Sequence, residues 1–303
     1  MASLRLSQGL RHLLTLRGAS AVPPPATAVL DQAFTRTRST AKTPGLVNAW
    51  LAVTTGTLLT VNSPDSMGHL YRFATRASAG PDSALPLKPL SERVAAAGLM
   101  REAGVKCGVF VGVPKTINGL AGLYQALEDD VRETLPKENP RSIKCVLLVH
   151  KQGTDDCNPG RSSSRNQAST TTNQENGLEL FKSVYDPHTE KLLAKLQSYH
   201  PDFAGWIVEH EYGALLSNVP GHNHLSRTLT SAVAVASLRA SGGVGPQLVS
   251  HVYGLLKARG FEPASETDDD RWLASEQGAQ WVIGLADAIA DVVVGSPVER
   301  AKL

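Results

Sequence analysis

A chain of 303 residues, 42% hydrophobic and 19% charged, is long enough for one large or two ordinary domains with packed cores. A formal net charge of +2, scattered rather than gathered into a basic stripe with aromatics, excludes nucleic acid as a partner. Three cysteines (Cys107, Cys145, Cys157) without CxxC spacing exclude a disulfide framework and a cysteine zinc site, and no cofactor is implied.

The chain starts MASLRLSQGLRHLLTLRG, with Arg5, Arg11 and Arg17 and no acidic residue before Asp31. On a helical wheel Leu6, Leu10, Leu13 and Leu14 share one face, and Arg5, Gln8, Arg11 and His12 the other. An amphipathic, acid-free start followed by PPP and a Ser/Thr-rich stretch is the profile of a mitochondrial presequence, read by the mitochondrial import machinery. The alternative is an ordinary disordered N-terminus with a fortuitous wheel. Residues 1–43 are assigned to presequence and linker, with cleavage near Arg38-Ser39.

The longest apolar run, LVNAWLAVTTGTLLTV (46–61), carries Asn48, four threonines and Gly56. It falls short of the roughly 20 apolar residues a spanning helix needs, so no membrane span is expected.

A weak internal repeat follows at a spacing of 182 residues, with 51–73 lying over 233–255. Pro64 matches Pro246, His69 matches His251, and Tyr71 matches Tyr253. After one residue of slippage, Gly112-Val113-Pro114 falls on Gly295-Ser296-Pro297. Both copies read as helices, giving a first unit at 44–150 and a second at 178–297. Pro114 opens a helix with Ile117, Leu120, Ala121, Tyr124, Leu127 and Val131 on one face. In the second copy Leu248, Val249, Val252, Leu255 and Leu256 form an apolar stripe, with His251 at its edge facing a crevice between two helices. The fold class is all-α. The sole strand candidate, IKCVLLVH (143–150), reads equally as a buried helical turn. Residues 151–177, nearly without apolar side chains, predict a disordered surface insertion.

The chain ends VERAKL (298–303). Ala301-Lys302-Leu303 is a variant of the Ser-Lys-Leu address for peroxisomes, implying a peroxisomal import receptor as partner. The alternative is three common residues met by chance. Gly295-Ser296-Pro297 would end the preceding helix and free the tail. With an address at each end, the protein is expected in both peroxisome and mitochondrion.

The stretches REAGVKCGVFVGVPKTINGLAGL, YHPDFAGWIVEHEYGALLS and HLSRTLTSAVAVASLRASGGVGPQLVSHVYGLLKARG resemble the carboxymuconolactone decarboxylase domain, which shares the alkyl hydroperoxidase D-like fold. The resemblance covers most of residues 44–300 apart from the polar insertion, and is nearest to fungal two-copy members with a peroxisomal C-terminal signal. It implies two related helical units and self-association into a homo-oligomer. It also implies a cofactor-free acid–base enzyme, of lyase or isomerase character, acting on a small carbonyl or carboxylate metabolite.

The departures from the family are specific. Where peroxidase-type members carry a CxxC pair this chain has Val244 and Gln247, and where they carry a glutamate it has Ala232. Thiol peroxidase chemistry by that route is excluded. The histidine remains, so the resemblance implies His251, and through the repeat His69, as general acid–bases, against the alternative of a satisfied core histidine. Tyr253 and Tyr212 are candidate hydrogen-bond donors in the crevice, with core packing as the alternative. The competing expectation is a fold whose chemistry has decayed and which serves binding or assembly. Other polar groups read as bland. Cys107 is a buried small hydrophobe, His222 and His224 lack a third metal ligand, and of Glu209 and Glu211 at most one can orient His210.

Overall fold

The computed structural model describes residues 6–15, 21–76, 86–137, 141, 159–218 and 225–295; within 159–171 only the backbone is described. The regular secondary structure of the described residues is helical, apart from an isolated bridge between Arg76 and Leu87. No helix among them is long and apolar enough to cross a membrane.

The apolar run at 46–61 becomes the central helix. α3 (Pro44–Thr60) is capped by Thr43, whose side chain accepts from the Leu46 N–H, and Pro44 occupies its first turn. Every residue from Ala49 to Thr60 is buried, so that stretch of the helix has no solvent face. The hydroxyls of Thr57 and Thr60 donate to the carbonyls of Val53 and Gly56 one turn back, at 2.9 and 2.7 Å. That pairing is what allows polar residues into the core. Around α3 pack α5 (Leu90–Val111), α11 (Arg227–Ser241) and α14 (Glu276–Val294). Ser226 and Ser275 cap α11 and α14 by accepting from Leu229 and Gly278 N–H groups.

Each matched stretch of the repeat is helix, break, helix. α3 is followed by α4 (Pro64–Thr75), and α11 by α12 (Gly245–Leu256), each second helix with proline in its first turn. α6 (Val113–Ala126) covers α4, and α7 (Asp129–Thr134) packs on α5. α12 packs against α8 (Pro159–Tyr185), α11 and α14.

α1 (Gln8–Thr15) buries no residue, and Leu6, Leu10, Leu13 and Leu14 stand exposed. α2 (Thr27–Arg38), assigned from sequence to a linker within 1–43, is instead part of the core. Its Leu30, Ala33 and Phe34 are buried, and Phe34 packs edge-on against Trp50. Composition alone conceals this, because three apolar residues suffice where the opposing surface is aromatic.

The expected disordered insertion at 151–177 is corrected in its second half. α8 (Pro159–Tyr185) runs through it and packs on a π-helix, Ile207–Leu216, which continues α10 (Phe203–Trp206). The contact is backbone on backbone. A Cβ on Gly213 would lie 2.0 Å from the Asn173 carbonyl oxygen, and one on Gly177 1.9 Å from that of Val208. Paired glycines therefore replace the apolar stripe that sequence patterning looks for. Gln174 adds a hydrogen bond to Glu209 at 2.9 Å. A second apolar cluster of Leu180, Phe181, Val184, Tyr212 and Leu216 follows on the same two helices. α9 (Thr189–Tyr199) then turns back over the end of α8, and α13 (Asp268–Leu273) precedes α14. The strand candidate 143–150, Cys145, Cys157, His222, His224 and Ala301-Lys302-Leu303 lie outside the described residues.

Candidate functional site

His251 is 6% exposed, more deeply placed than the stripe-edge position read from the sequence. The covering comes from elements distant in the chain. Gly254, one turn on, lets α12 close onto α8, since a Cβ there would stand 2.8 Å from Val184 Cγ1. The imidazole then meets the last residue of α8 and the middle of the π-helix. His251 Nε2 lies 3.4 Å from the Tyr185 hydroxyl and 3.4 Å from the Tyr212 hydroxyl. The Tyr212 hydroxyl donates to that of Tyr185 at 3.1 Å, which leaves the Tyr185 proton free for the imidazole nitrogen.

Aromatic packing holds the three groups. Phe181 lies 4.4 Å from the Tyr185 ring and 5.0 Å from that of Tyr212, and Phe110 of α5 meets the imidazole edge-on at 5.2 Å. Burial, assisted by the nearby Arg227 charge, lowers the His251 pKa to about 4. Burial also raises Tyr185 and, further, Tyr212. At neutral pH the cluster is uncharged and can pass a proton but does not present an ion.

Two cations lie beneath it. Arg227, 4% exposed, donates to Ser183 Oγ at 2.9 Å, to Ser231 Oγ and to the Gly254 carbonyl at 3.4 Å, and its guanidinium stands 5.4 Å from the Phe261 ring centroid. Burial brings its pKa down to about 10, so it stays charged. Lys106 is 1% exposed and donates to the Leu216 carbonyl at 2.8 Å, Asn218 Oδ1 at 2.9 Å and Thr230 Oγ1 at 3.0 Å. All three of its protons are used, one at the end of the π-helix, where a positive charge suits the exposed carbonyls. Burial brings its pKa down to about 8. Sequence reasoning passed over Arg227, Lys106 and Tyr185. The usable signal was a lone charge within an apolar run, as in Val105-Lys106-Cys107 and at the start of the alanine-rich helix.

The position that the sequence match pairs with His251 is built differently. His69 Nε2 is 2.8 Å from Asp31 Oδ1 on α2, and its ring stacks on Phe34 at 6.0 Å. The other oxygen, Asp31 Oδ2, is buried without a hydrogen-bond partner among the described residues. Tyr71 is fully buried and donates to Glu128 Oε2 at 2.6 Å, beside the Arg93–Asp130 pair. Tyr253, at the equivalent place, is 61% exposed. The structure therefore does not bring Tyr253 to His251; the phenols there are Tyr185 and Tyr212.

A pocket of about 620 Å³ opens between the end of α8, α9 and α12, and both Tyr185 and Tyr253 line it. His251 does not reach it directly. Cys107 is fully buried with Sγ 3.4 Å from Ser237 Oγ, and burial pushes its thiol up to about 12, so it is no nucleophile. Among the described residues no three His, Cys, Asp or Glu side chains gather as a metal site.

Comparison with known proteins finds two similar yeast proteins. "Peroxisomal protein 2" of Saccharomyces cerevisiae (strain ATCC 204508 / S288c) is 27% identical over 240 residues, which cover 70% of this chain and 82% of that protein. "Peroxisomal protein 2" of Schizosaccharomyces pombe (strain 972 / ATCC 24843) is 24% identical over 157 residues, covering 52% of this chain and 59% of that protein. No family model matches, and no solved structure matches.

Proposed function

We propose that this is a peroxisomal protein built from two carboxymuconolactone decarboxylase-like helical units, in which Tyr185, Tyr212 and His251 move a proton to or from a small carbonyl or carboxylate metabolite without a cofactor. The observation that carries the chemistry is the position of Tyr185. Its hydroxyl meets the buried imidazole, and its side chain also lines the 620 Å³ pocket. A substrate in that pocket would exchange its proton with Tyr185, while the neutral His251, backed by Tyr212, accepts or restores it. The paired helix–break–helix arrangement of α3–α4 and α11–α12 supports the two-unit reading. Val244 and Gln247 in place of thiols, with Cys107 buried, support chemistry other than peroxide reduction.

One observation favours the decayed alternative, in which the fold serves binding or assembly: His251 lines none of the described pockets. Incubating the full chain with a small-molecule extract of peroxisomes in D₂O separates the two. Acid–base catalysis puts deuterium beside the carbonyl of at least one carboxylate, and His251→Gln and Tyr185→Phe remove that labelling. No labelling by the wild-type protein refutes the enzymatic reading.

The peroxisomal assignment is supported by the names of the two relatives and by Ala301-Lys302-Leu303. The exposed leucine face of α1 is compatible with a second, mitochondrial address. A tag at the N-terminus, leaving AKL free, should send all of the protein to peroxisomes. A tag at the C-terminus should leave it in mitochondria; cytosolic, uncleaved protein would refute the presequence. Self-association is supported by Val113, Ile117 and Tyr124, all exposed on α6. A monomer in light scattering at micromolar concentration would refute it.

A further inference from the structure

The pocket that Tyr185 shares has a composition that specifies its occupant. On α9, Lys191 and Lys195 stand one turn apart with Leu192 beside them, and all three line the pocket. Like charges at this spacing repel, and among the described residues neither lysine has an ion-pair partner. Lys257, on the opposite wall, is engaged elsewhere: it donates to the backbone carbonyls of Val184 and, at 2.9 Å, of Asp186. Asp186 is the single acidic residue of the lining, and its charge faces Lys257. The α9 rim is thus left positive.

The floor is apolar and aromatic. Tyr253 occupies the repeat position of Tyr71, which is completely covered, yet Tyr253 itself is 61% exposed. In the first copy α6 lies over α4, whereas α8 packs on the side of α12 that carries His251 and Gly254 and leaves the Tyr253 side open, where the pocket stands. An open aromatic wall facing two unneutralised lysines, in a volume within the usual 300–1,000 Å³ of small-molecule sites, calls for a ligand with an apolar body and one anionic end.

We propose that this pocket binds a small organic carboxylate, with the carboxylate held by Lys191 and Lys195 and the apolar body lying against Leu192, Tyr253 and Tyr185. The proposal names the substrate class of the acid–base centre, and it rests on that reading only for the proton transfer, not for binding. It also gives Tyr185 a second duty as the wall between bound ligand and His251.

The probe is octanoate, compared with octanamide, which keeps the body and lacks the charge. Calorimetric titration of the full chain should show octanoate binding at least tenfold more tightly than octanamide. The Lys191→Glu/Lys195→Glu double variant should lose octanoate affinity by at least tenfold at unchanged melting temperature, since both side chains are exposed on α9. Tyr253→Ala should weaken octanoate and octanamide alike. Equal binding of the two probes, no binding of octanoate, or full octanoate affinity in the double variant overturns the proposal. His251→Gln should bind octanoate as the wild type does while losing deuterium labelling. Retained binding with labelling unaffected by His251→Gln would sink the acid–base reading and leave the carboxylate pocket standing.

Discussion

Acid should destabilise this protein through one imidazole, by an amount the structure sets. The His251 pKa is lowered from an ordinary 6.5 to about 4 by burial beside Phe110 and by the Arg227 charge. In the unfolded chain the same side chain takes up a proton as pH falls through 6.5. Between that value and 4 the unfolded state therefore holds more protons than the folded one, and stability falls with pH. The stability is fully present above pH 6.5 and is lost on the way down to 4. A tenfold difference in proton affinity between the two states is worth about 1.4 kcal/mol, so moving from pH 7 to pH 4.5 removes about 2.5 kcal/mol. Against a total of about 5–15 kcal/mol for a folded domain, that loss is easily measured. Urea unfolding of wild type and His251→Gln at both pH values isolates it, because carboxylate titration is common to the two proteins and cancels in the difference. The wild type should lose about 2.5 kcal/mol more than the variant over that interval. Equal losses would show that His251 is not held neutral by the fold and would remove the basis for an uncharged proton-transfer cluster.

Three further outcomes are expected. Gly213→Ala forces α8 and the π-helix apart, because the new Cβ would stand 2.0 Å from the Asn173 carbonyl oxygen; a loss of about 2 kcal/mol or more in urea unfolding should result, and an unchanged midpoint would deny the backbone contact. Lys106, with its pKa down to about 8, favours the unfolded state's proton uptake between that value and 10.5, so it should make the wild type about 1 kcal/mol more stable at pH 9 than at pH 7. Lys106→Met should lack that gain, and an identical pH dependence in both proteins would contradict the buried charge. Deleting residues 1–20 should leave the melting temperature unchanged, since α1 buries nothing, whereas deleting 1–43 also removes Leu30, Phe34 and the Asp31–His69 pair and should abolish cooperative unfolding. Cooperative melting of the shorter chain at the wild-type temperature would return α2 to the linker.

Sequence by itself determined the helical class and the helix–break–helix pattern of α3–α4 and α11–α12. Pro64, Pro246, Thr43, Ser226 and the leucine and valine spacing act locally, through caps, first turns and one-sided burial, and so can be read without knowing what lies opposite. The run at 46–61 is apolar nearly all round, the pattern of a helix buried on every side. Cys107 and the absence of thiols at Val244 and Gln247 were equally legible. Other features depended on partners remote in the chain. Gly177 and Gly213 look like breaks in a polar segment until two backbones are seen to touch. Asp31 looks like the first acid after a leader until His69, 38 residues away, binds it. The sequence match pairs Tyr71 with Tyr253, yet one is sealed beneath neighbouring helices and the other lines an open pocket. His251 was found from its place in a pattern, but its neutrality and its two phenol partners come from α8, the π-helix and α5 folding over it. Burial and charge at a site are sums over everything packed around it, and only the tertiary structure performs that sum.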